Sequence, residues 1–549
     1  MKKRCITVSL LFFMLFFLLD IRMFHIQYNN GEKYSVMADS QYQFKEKKEE
    51  LNYRLVDDSG KDLLDYNSKY SVVVLPSIFA KNNLDTNYEE FLKFLYILKN
   101  YDESYDLSNG NYNNNNSQKL YFQVDKNTYD KLKNIKGVKG FYLYKYDEVE
   151  RKDVWKIENV LTNIRNTQDS SLKEKDSLEM IINEKFKDSK NSSYIYNTDL
   201  DGNITEEKNR NANSIDKTIS TLNSDFQDDL RNLLKEKYSE YEQIGVVISE
   251  PSTGKIRSLV QKDETLPNVL IGAETLNGFF PGSIFKTLVY EGAITKYPDI
   301  ESKSFHCTGV YEKKSDKHHG KLNINEAFAV SCNDIFSQIG VNVGFDKLNE
   351  LCNEQHLFQK VLGLSKEQKG NIEVKTPKAE DGTLGIMSIG QNLRITPLEA
   401  LNIINTIVNK GKYIPPVIVD EFVKDNETIS YIPSLKSKQI LTEKQASIIE
   451  TSLRDVVLNG TAKAANIEGA EVGGKTGSTE RYEVVKNDKG ESTTKKFSDG
   501  WFIGFLKKEN ISYTVVIFVK NINKDTQGGG TTAAPIFKDI AEYLINKNQ

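Results

Sequence analysis

The sequence predicts an α+β protein of more than one domain, held at its start by a single apolar helix. Three observations carry that expectation. An uncharged apolar run follows a basic tip at the N-terminus. Composition changes near residue 213, from a polar stretch rich in Lys, Asn, Asp and Tyr to apolar segments alternating with turns. Both halves mix segments of helical period with short β-rich runs, the pattern of an α+β chain rather than of a repeat or a bundle.

At 549 residues, 38% hydrophobic and 27% charged, the chain suits several globular domains. Its net charge of −4 provides no global basic field, so no nucleic acid is expected as partner. Lys2, Lys3 and Arg4 precede "CITVSLLFFMLFFLL", residues 5–19. A membrane span usually needs about 20 residues, and the helix can continue through "DIRMFHIQ", with Asp20 and Arg22 snorkelling at the interface. A cleaved signal peptide would show a small-x-small site after the apolar core, which this stretch lacks. Residues 1–27 are therefore read as an uncleaved anchor in membrane lipid, with the basic side cytoplasmic and the rest of the chain on the outer face.

Residues 28–212 read as an α+β pedestal. "KYSVVVLPSIFA" (69–80) is a strand closed by a proline, and "YEEFLKFLYILKN" (88–100) has helical spacing. "SNGNYNNNNSQ" (108–118) is too polar to pack, and "KLYFQVDKNTYDKLKNIKGVKGFYLYKYDEVE" suggests strand, helix, strand. Residues 213–549 are ample for a large core. "SIDKTISTLNSDFQDDLRNLLKEKY" reads as strand then amphipathic helix, and "YEQIGVVISEPSTGKIRSLV" as a hairpin about a Ser-Thr-Gly turn. "SDGWFIGFLKKENISYTVVIFVK" reads as two antiparallel strands and "TTAAPIFKDIAEYLINK" as a closing helix.

Cys5, Cys307, Cys332 and Cys352 make no disulfide framework in a chain this long. Cys307, His318, His319 and Cys332 are residue types that zinc accepts, but their spacing fits no finger or ribbon. Buried thiols and surface imidazoles are expected there, with no metal.

The chemistry concentrates in "GFFPGSIFKTLVYEGAI" (278–294). Ser283 follows a Pro-Gly turn, and Lys286 lies one helical turn further on the same face. The spacing recurs at Ser170/Lys173, Ser252/Lys255 and Ser492/Lys495, but of these serines only Ser283 begins an apolar helix, where free N–H groups favour developing negative charge. A serine hydroxyl is a poor nucleophile until a base takes its proton, and a lysine serves only if burial or another cation keeps its amine neutral part of the time. The reading therefore demands a second cation. "NEAFAVSCNDIFSQIG" offers Ser331 and Asn333 between two apolar helical segments, and "EVGGKTGSTE" offers Lys475, Thr476, Gly477 and Ser478 ahead of the last strands. Lys475 supplies the cation, the hydroxyls suit a carboxylate, and the glycines let a ligand backbone approach a strand.

Ser-x-x-Lys, then Ser-x-Asn, then Lys-Thr-Gly resembles the serine penicillin-recognising enzymes. "PSTGKI", "SIGQNLRITPLEAL" (388–401), "NGTA" (459–462) and "DGWFIGF" (499–505) look like the same family. The resemblance is dense over 213–549 and faint before it, where "GEKYSVMADSQ" is similar to the monofunctional class B penicillin-binding proteins. It implies a β-lactamase/transpeptidase-like domain: an antiparallel sheet flanked by helices plus an all-helical subdomain, with the site between them. Ser283 would attack the penultimate D-Ala carbonyl of a peptidoglycan stem peptide, with Lys286 as base, Ser331 as proton relay and Lys475 balancing the amines. Asn333 would orient the donor peptide, Thr476 and Ser478 would hold its carboxylate, and Gly477 would admit its backbone. β-Lactam antibiotics would acylate the same serine, and no cofactor is implied.

A bifunctional relative would carry a glycosyltransferase histidine, but residues 26–305 contain no histidine, which supports class B. A serine β-lactamase or β-lactam sensor is the main alternative. Sensors and class D hydrolases typically carry Ser-x-Val where Asn333 stands, and class A enzymes lack a large first domain. The other alternative, a non-catalytic scaffold, is disfavoured by three intact motifs. Where class B members usually have Arg-Gly-x-Ile-x-Asp-Arg-Asn-Gly, this chain has "NYRLVDDSGKDLL" (52–64), a departure that bears on a partner glycan polymerase and on divisome or elongation proteins.

Overall fold

A computed structural model describes residues 2–29, 43–83, 88–107, 119–166, 169–189, 192–199, 203–210, 216–311, 318–486, 492–523 and 525–547. The "GEKYSVMADSQ" and "SNGNYNNNNSQ" stretches and the boundary at residue 212 lie outside them. The chain forms two compact units, one from Met1–Asn52, Tyr66–Val149 and Lys190–Ile215, the other from Tyr53–Asp65, Glu150–Ser189 and Asp216–Gln549.

In the first unit a helix runs from Lys2 to Phe24. Side chains at 2–5, 7 and 11 are outside the described set, and among the described residues no helix is long and apolar enough to cross a membrane. An antiparallel sheet follows, ordered Leu120–Val124, Tyr66–Val74, Phe141–Val149. Alternation along these strands sends Val72, Val74 and Phe122 into a core with Phe79, Phe94, Leu98 and Leu132 of the helices. Val73, Tyr142 and Tyr196 form a second cluster, with the Tyr142 and Tyr196 rings stacked 4.5 Å apart. Pro76 does more than close the strand at 66–74. It opens a helix, Pro76–Asn82, because a proline at the first helical position gives up an N–H that would have had no partner.

The second unit is built on five antiparallel strands: β1 (Gln243–Ser249), β2 (Ile256–Gln261), β3 (Glu471–Lys486), β4 (Ser492–Lys508) and β5 (Ile511–Lys520), in the order β2-β1-β5-β4-β3. β1 and β2 are buried along their whole length, as strands covered on both faces are. Helices α1 (Ser224–Lys237), α4 (Pro397–Val408), α5 (Glu443–Leu458) and α6 (Ala533–Lys547) pack on the sheet. α2 (Lys286–Lys296) is buried from Lys286 to Ile294, and it packs with α3 (Asn333–Val343) and α5 in the helical part of the unit. The two hairpins and the closing helix expected from the sequence are all present. Arg54–Val56, from the stretch that departs from the class B pattern, pairs in parallel with Lys217–Ser220 in a separate four-stranded sheet.

Candidate active site

Ser283 lies in a 3₁₀ turn, Gly282–Phe285, and the α-helix proper begins at Lys286. A 3₁₀ turn has three residues per turn, so positions i and i+3 eclipse, and Ser283 and Lys286 project from one side. Two glycines let this turn lie against β3. Gly282 has φ +55°, and a Cβ there would stand 2.8 Å from the Ser478 carbonyl oxygen. A Cβ on Gly477 would meet the Pro281 carbonyl oxygen, also at 2.8 Å. Local backbone freedom thus brings the first and third motifs together.

The second motif is positioned by a helix end. The short helix Ile324–Ala329 starts on a capping box between Asn323 and Glu326. At its other end the Ser331 N–H donates to the Phe328 carbonyl at 3.2 Å and the Cys332 N–H to the Ala327 carbonyl at 2.9 Å. This is a Schellman closure, and it puts Ser331 in the left-handed region, φ 57°. Cys332 then caps α3, whose first residue is Asn333. Asp334 accepts from the Thr308 hydroxyl at 2.7 Å and fastens the neighbouring loop to α3.

Lys286 Nζ donates to the Ser331 carbonyl at 2.7 Å, the Ser331 hydroxyl at 3.1 Å and Asn333 Oδ1 at 2.7 Å. From the other side Lys475 donates to the same Ser331 hydroxyl at 2.9 Å and to the Thr476 carbonyl at 3.1 Å. Both lysines are wholly buried. Burial first, and the neighbouring Lys286 second, hold Lys475 well below the ordinary lysine range, because two amines sharing one buried site do not both carry a full charge. Aromatic rings line the pair: Lys286 Nζ stands 5.8 Å from the Phe336 ring centroid and Lys475 Nζ 5.6 Å from that of Phe328. One hydroxyl between two amines is an arrangement that can carry a proton from one to the other.

Ser478 Oγ accepts from the Gly529 N–H at 3.0 Å, and Thr476 Oγ1 lies 2.8 Å from Thr461 Oγ1. The lysines of two of the other Ser-x-x-Lys pairs serve elsewhere: Lys173 pairs with Glu179 at 2.8 Å and Lys255 with Asp420 at 2.6 Å. Sequence reasoning did not single out Phe328, Phe336, Thr461 or Gly529. "NGTA" held the signal for Thr461, whereas the rings and Gly529 are marked only by their tertiary neighbours.

Cys307, Cys332 and Cys352 are buried free thiols. The donor atoms of Cys307, His319 and Cys332 lie within 4.8 Å of one another, with Cys307 Sγ 3.7 Å from His319 Nδ1, so a surface imidazole lies beside two buried thiols. Two thiols and an imidazole are donors of the zinc-binding kind. His318 is directed elsewhere, against Gly309. Burial, together with the second thiol, pushes Cys332 up to about 11.

Residues 244–542 match the family model for the penicillin binding protein transpeptidase domain. The chain is 28% identical over 275 residues to stage V sporulation protein D of Bacillus subtilis, covering 47% of this chain and 41% of the relative. It is 25% identical over 369 residues to the peptidoglycan D,D-transpeptidase FtsI of Buchnera aphidicola, covering 63% and 62%. The chain thus spans less than two thirds of each of these curated relatives. Among solved structures, a peptidoglycan synthetase from Bifidobacterium adolescentis shares the fold at a TM-score of 0.64 and 15% identity, over 92% of this chain and 96% of that one. Penicillin binding protein 2X from Streptococcus thermophilus does so at 0.61 and 16%, over 91% and 80%. With the family model covering more than half of its residues, the chain belongs to the penicillin-binding protein transpeptidase family.

Proposed function

We propose that this protein is a membrane-anchored peptidoglycan D,D-transpeptidase of class B type and a covalent target of β-lactams. The observation that carries the reading is the Ser331 hydroxyl lying 3.1 Å and 2.9 Å from two buried lysine amines. Lys286, neutral in the reactive state, takes the Ser283 proton as the oxygen attacks the penultimate D-Ala carbonyl. The proton passes through Ser331 to the leaving amine, terminal D-Ala departs, and an ester to Ser283 remains. A second stem peptide's amine then resolves the ester into a cross-link and regenerates the serine. Lys475 balances the charge, Asn333 orients the donor, Gly477 gives its backbone room, and Thr476 and Ser478 hold the terminal carboxylate. The backbone N–H groups of Ser283 and Ser478 form the oxyanion hole, where one donor is worth about 3 kcal/mol.

Residues 1–27 act as the anchor, 28–212 as a pedestal except for 53–65 and 150–189, which pack with the unit that holds the site, and 213–549 as the transpeptidase domain, facing the outer side of the membrane. The pedestal is the part suited to a glycan polymerase and to division or elongation proteins. The test is labelling of the full chain in detergent with a fluorescent penicillin. The wild type should be labelled and should keep the label for many minutes, and Ser283→Ala should take up none. Equal labelling of the mutant would mean that another serine is the nucleophile, and rapid loss of label would point to a β-lactamase.

A further inference from the structure

The segment after α5, Asn459–Ala462, touches one motif directly, at Thr476, and the helix end that precedes another, at Ala329. The Gly460 N–H donates to Asp455 and Val456 carbonyls of α5, each at 3.1 Å, and the Thr461 N–H to the Ala329 carbonyl at 3.2 Å. Ala329 ends the helix whose Schellman closure sets Ser331. A Cβ on Gly460 would stand 2.2 Å from the Ala329 oxygen, so the segment is pressed against that helix end. On its other side Thr461 Oγ1 meets Thr476 Oγ1 at 2.8 Å. Thr461 is exposed, and Thr476 is 6% exposed.

A hydroxyl has one proton to give and lone pairs to receive. For Thr476 to donate to a carboxylate, its proton must be turned toward the anion, and an unrestrained rotor spends much of its time elsewhere. A donor fixed behind the oxygen removes that freedom and polarises the O–H it feeds. Thr461, whose N–H is held by the Ala329 carbonyl and whose neighbour Gly460 is held to α5, stands where such a donor is needed. We propose that Thr461 is a positioning residue for carboxylate recognition: it donates to Thr476 Oγ1 and directs the Thr476 proton toward the carboxylate of the stem peptide or β-lactam. This rests on the transpeptidase reading above, with Thr476 as a carboxylate ligand.

The test compares benzylpenicillin with its methyl ester on the full chain in detergent, reading the half-saturating concentration and the limiting acylation rate separately. Thr461→Val and Thr461→Ala should raise the half-saturating concentration for the acid about fivefold to tenfold, the loss of one hydrogen bond's alignment. Their limiting rate should stay within about twofold and their response to the ester should match the wild type, because the ester carries no anion to align. Thr461→Ser should restore the acid's binding. Wild-type behaviour of both the Val and Ala variants, or equal losses for acid and ester, would overturn the role of Thr461, as would failure of Ser to rescue. A wild-type chain that takes up neither compound would instead overturn the transpeptidase reading on which this role rests.

Discussion

Ser331 occupies a backbone conformation that costs a residue with a side chain about 1–2 kcal/mol. Helices that end this way usually place glycine there. Its hydroxyl joins the two amines, and under the proposed mechanism that relay is what keeps a strained serine here. The expectation is specific. Ser331→Gly and Ser331→Ala both remove the proposed relay, and acylation by penicillin should fall about 100-fold or more in each. Their stabilities should differ, with the glycine variant about 1 kcal/mol more stable than the alanine variant, because only alanine keeps the strained Cβ. Denaturant unfolding of the two would decide it; an alanine variant as stable as the glycine variant would remove the strain from the explanation. None of this strain is legible in "SCN". The string gives residue types and order, whereas the left-handed turn arises from hydrogen bonds to Ala327 and Phe328. Lys475 is similar: its type is plain in the sequence, but its depressed basicity comes from burial and from Lys286, which is remote in the chain.

Elements were more legible than contacts. The hairpin at 243–261, the strands within 498–520 and the closing helix announce themselves through alternation, turn residues and helical period, all local properties. The parallel pairing of Arg54–Val56 with Lys217–Ser220 does not, because its partner is distant in sequence and parallel pairs carry no hairpin signal. The 3₁₀ turn at Gly282–Phe285 also escapes the pattern, since it shares its apolar residues with α2 and differs only in hydrogen bonding. That turn can be tested as an element. Gly282→Ala adds a Cβ 2.8 Å from the Ser478 carbonyl oxygen and 2.9 Å from Thr479 Cγ2, at a φ of +55°. The clash must push the Ser283 turn off β3. Acylation should therefore drop about tenfold or more while the catalytic side chains stay chemically intact, since displacements of about 1 Å at a reacting group can cost 100-fold. Stability should fall by about 1–3 kcal/mol. Unchanged acylation kinetics in a folded Gly282→Ala protein would show that the turn and the strand do not set the site's geometry.

For the whole molecule, the chain passes between its two units more than once: residues 53–65 and 150–189 belong with the unit that holds the site. Composition changes near residue 213 but carries no mark of these two excursions, because they are defined by where the segments pack and not by what they contain. The N-terminal helix is the opposite case, with composition as its main signal. It has 23 residues, although among the described residues no helix is both long and apolar enough to cross a membrane. Phe12, Phe13, Met14, Leu15, Phe16 and Phe17 are consecutive and each is more than 50% exposed, so every face of that stretch is apolar and uncovered. A helix folded onto a protein core would bury one face, and under the proposal that residues 1–27 are an anchor this apolar surface is what lipid would cover. Full-length protein should accordingly stay with the membrane pellet through an alkaline carbonate wash, and a chain lacking residues 2–29 should move to the supernatant while keeping its penicillin labelling. Release of the full chain by the wash would mean that the helix lies on the bilayer or on another protein and does not span. Loss of labelling in the shortened chain would mean that the helix supports the fold, because the residues proposed for acyl transfer all come after Gly282 and none of them needs lipid for its chemistry.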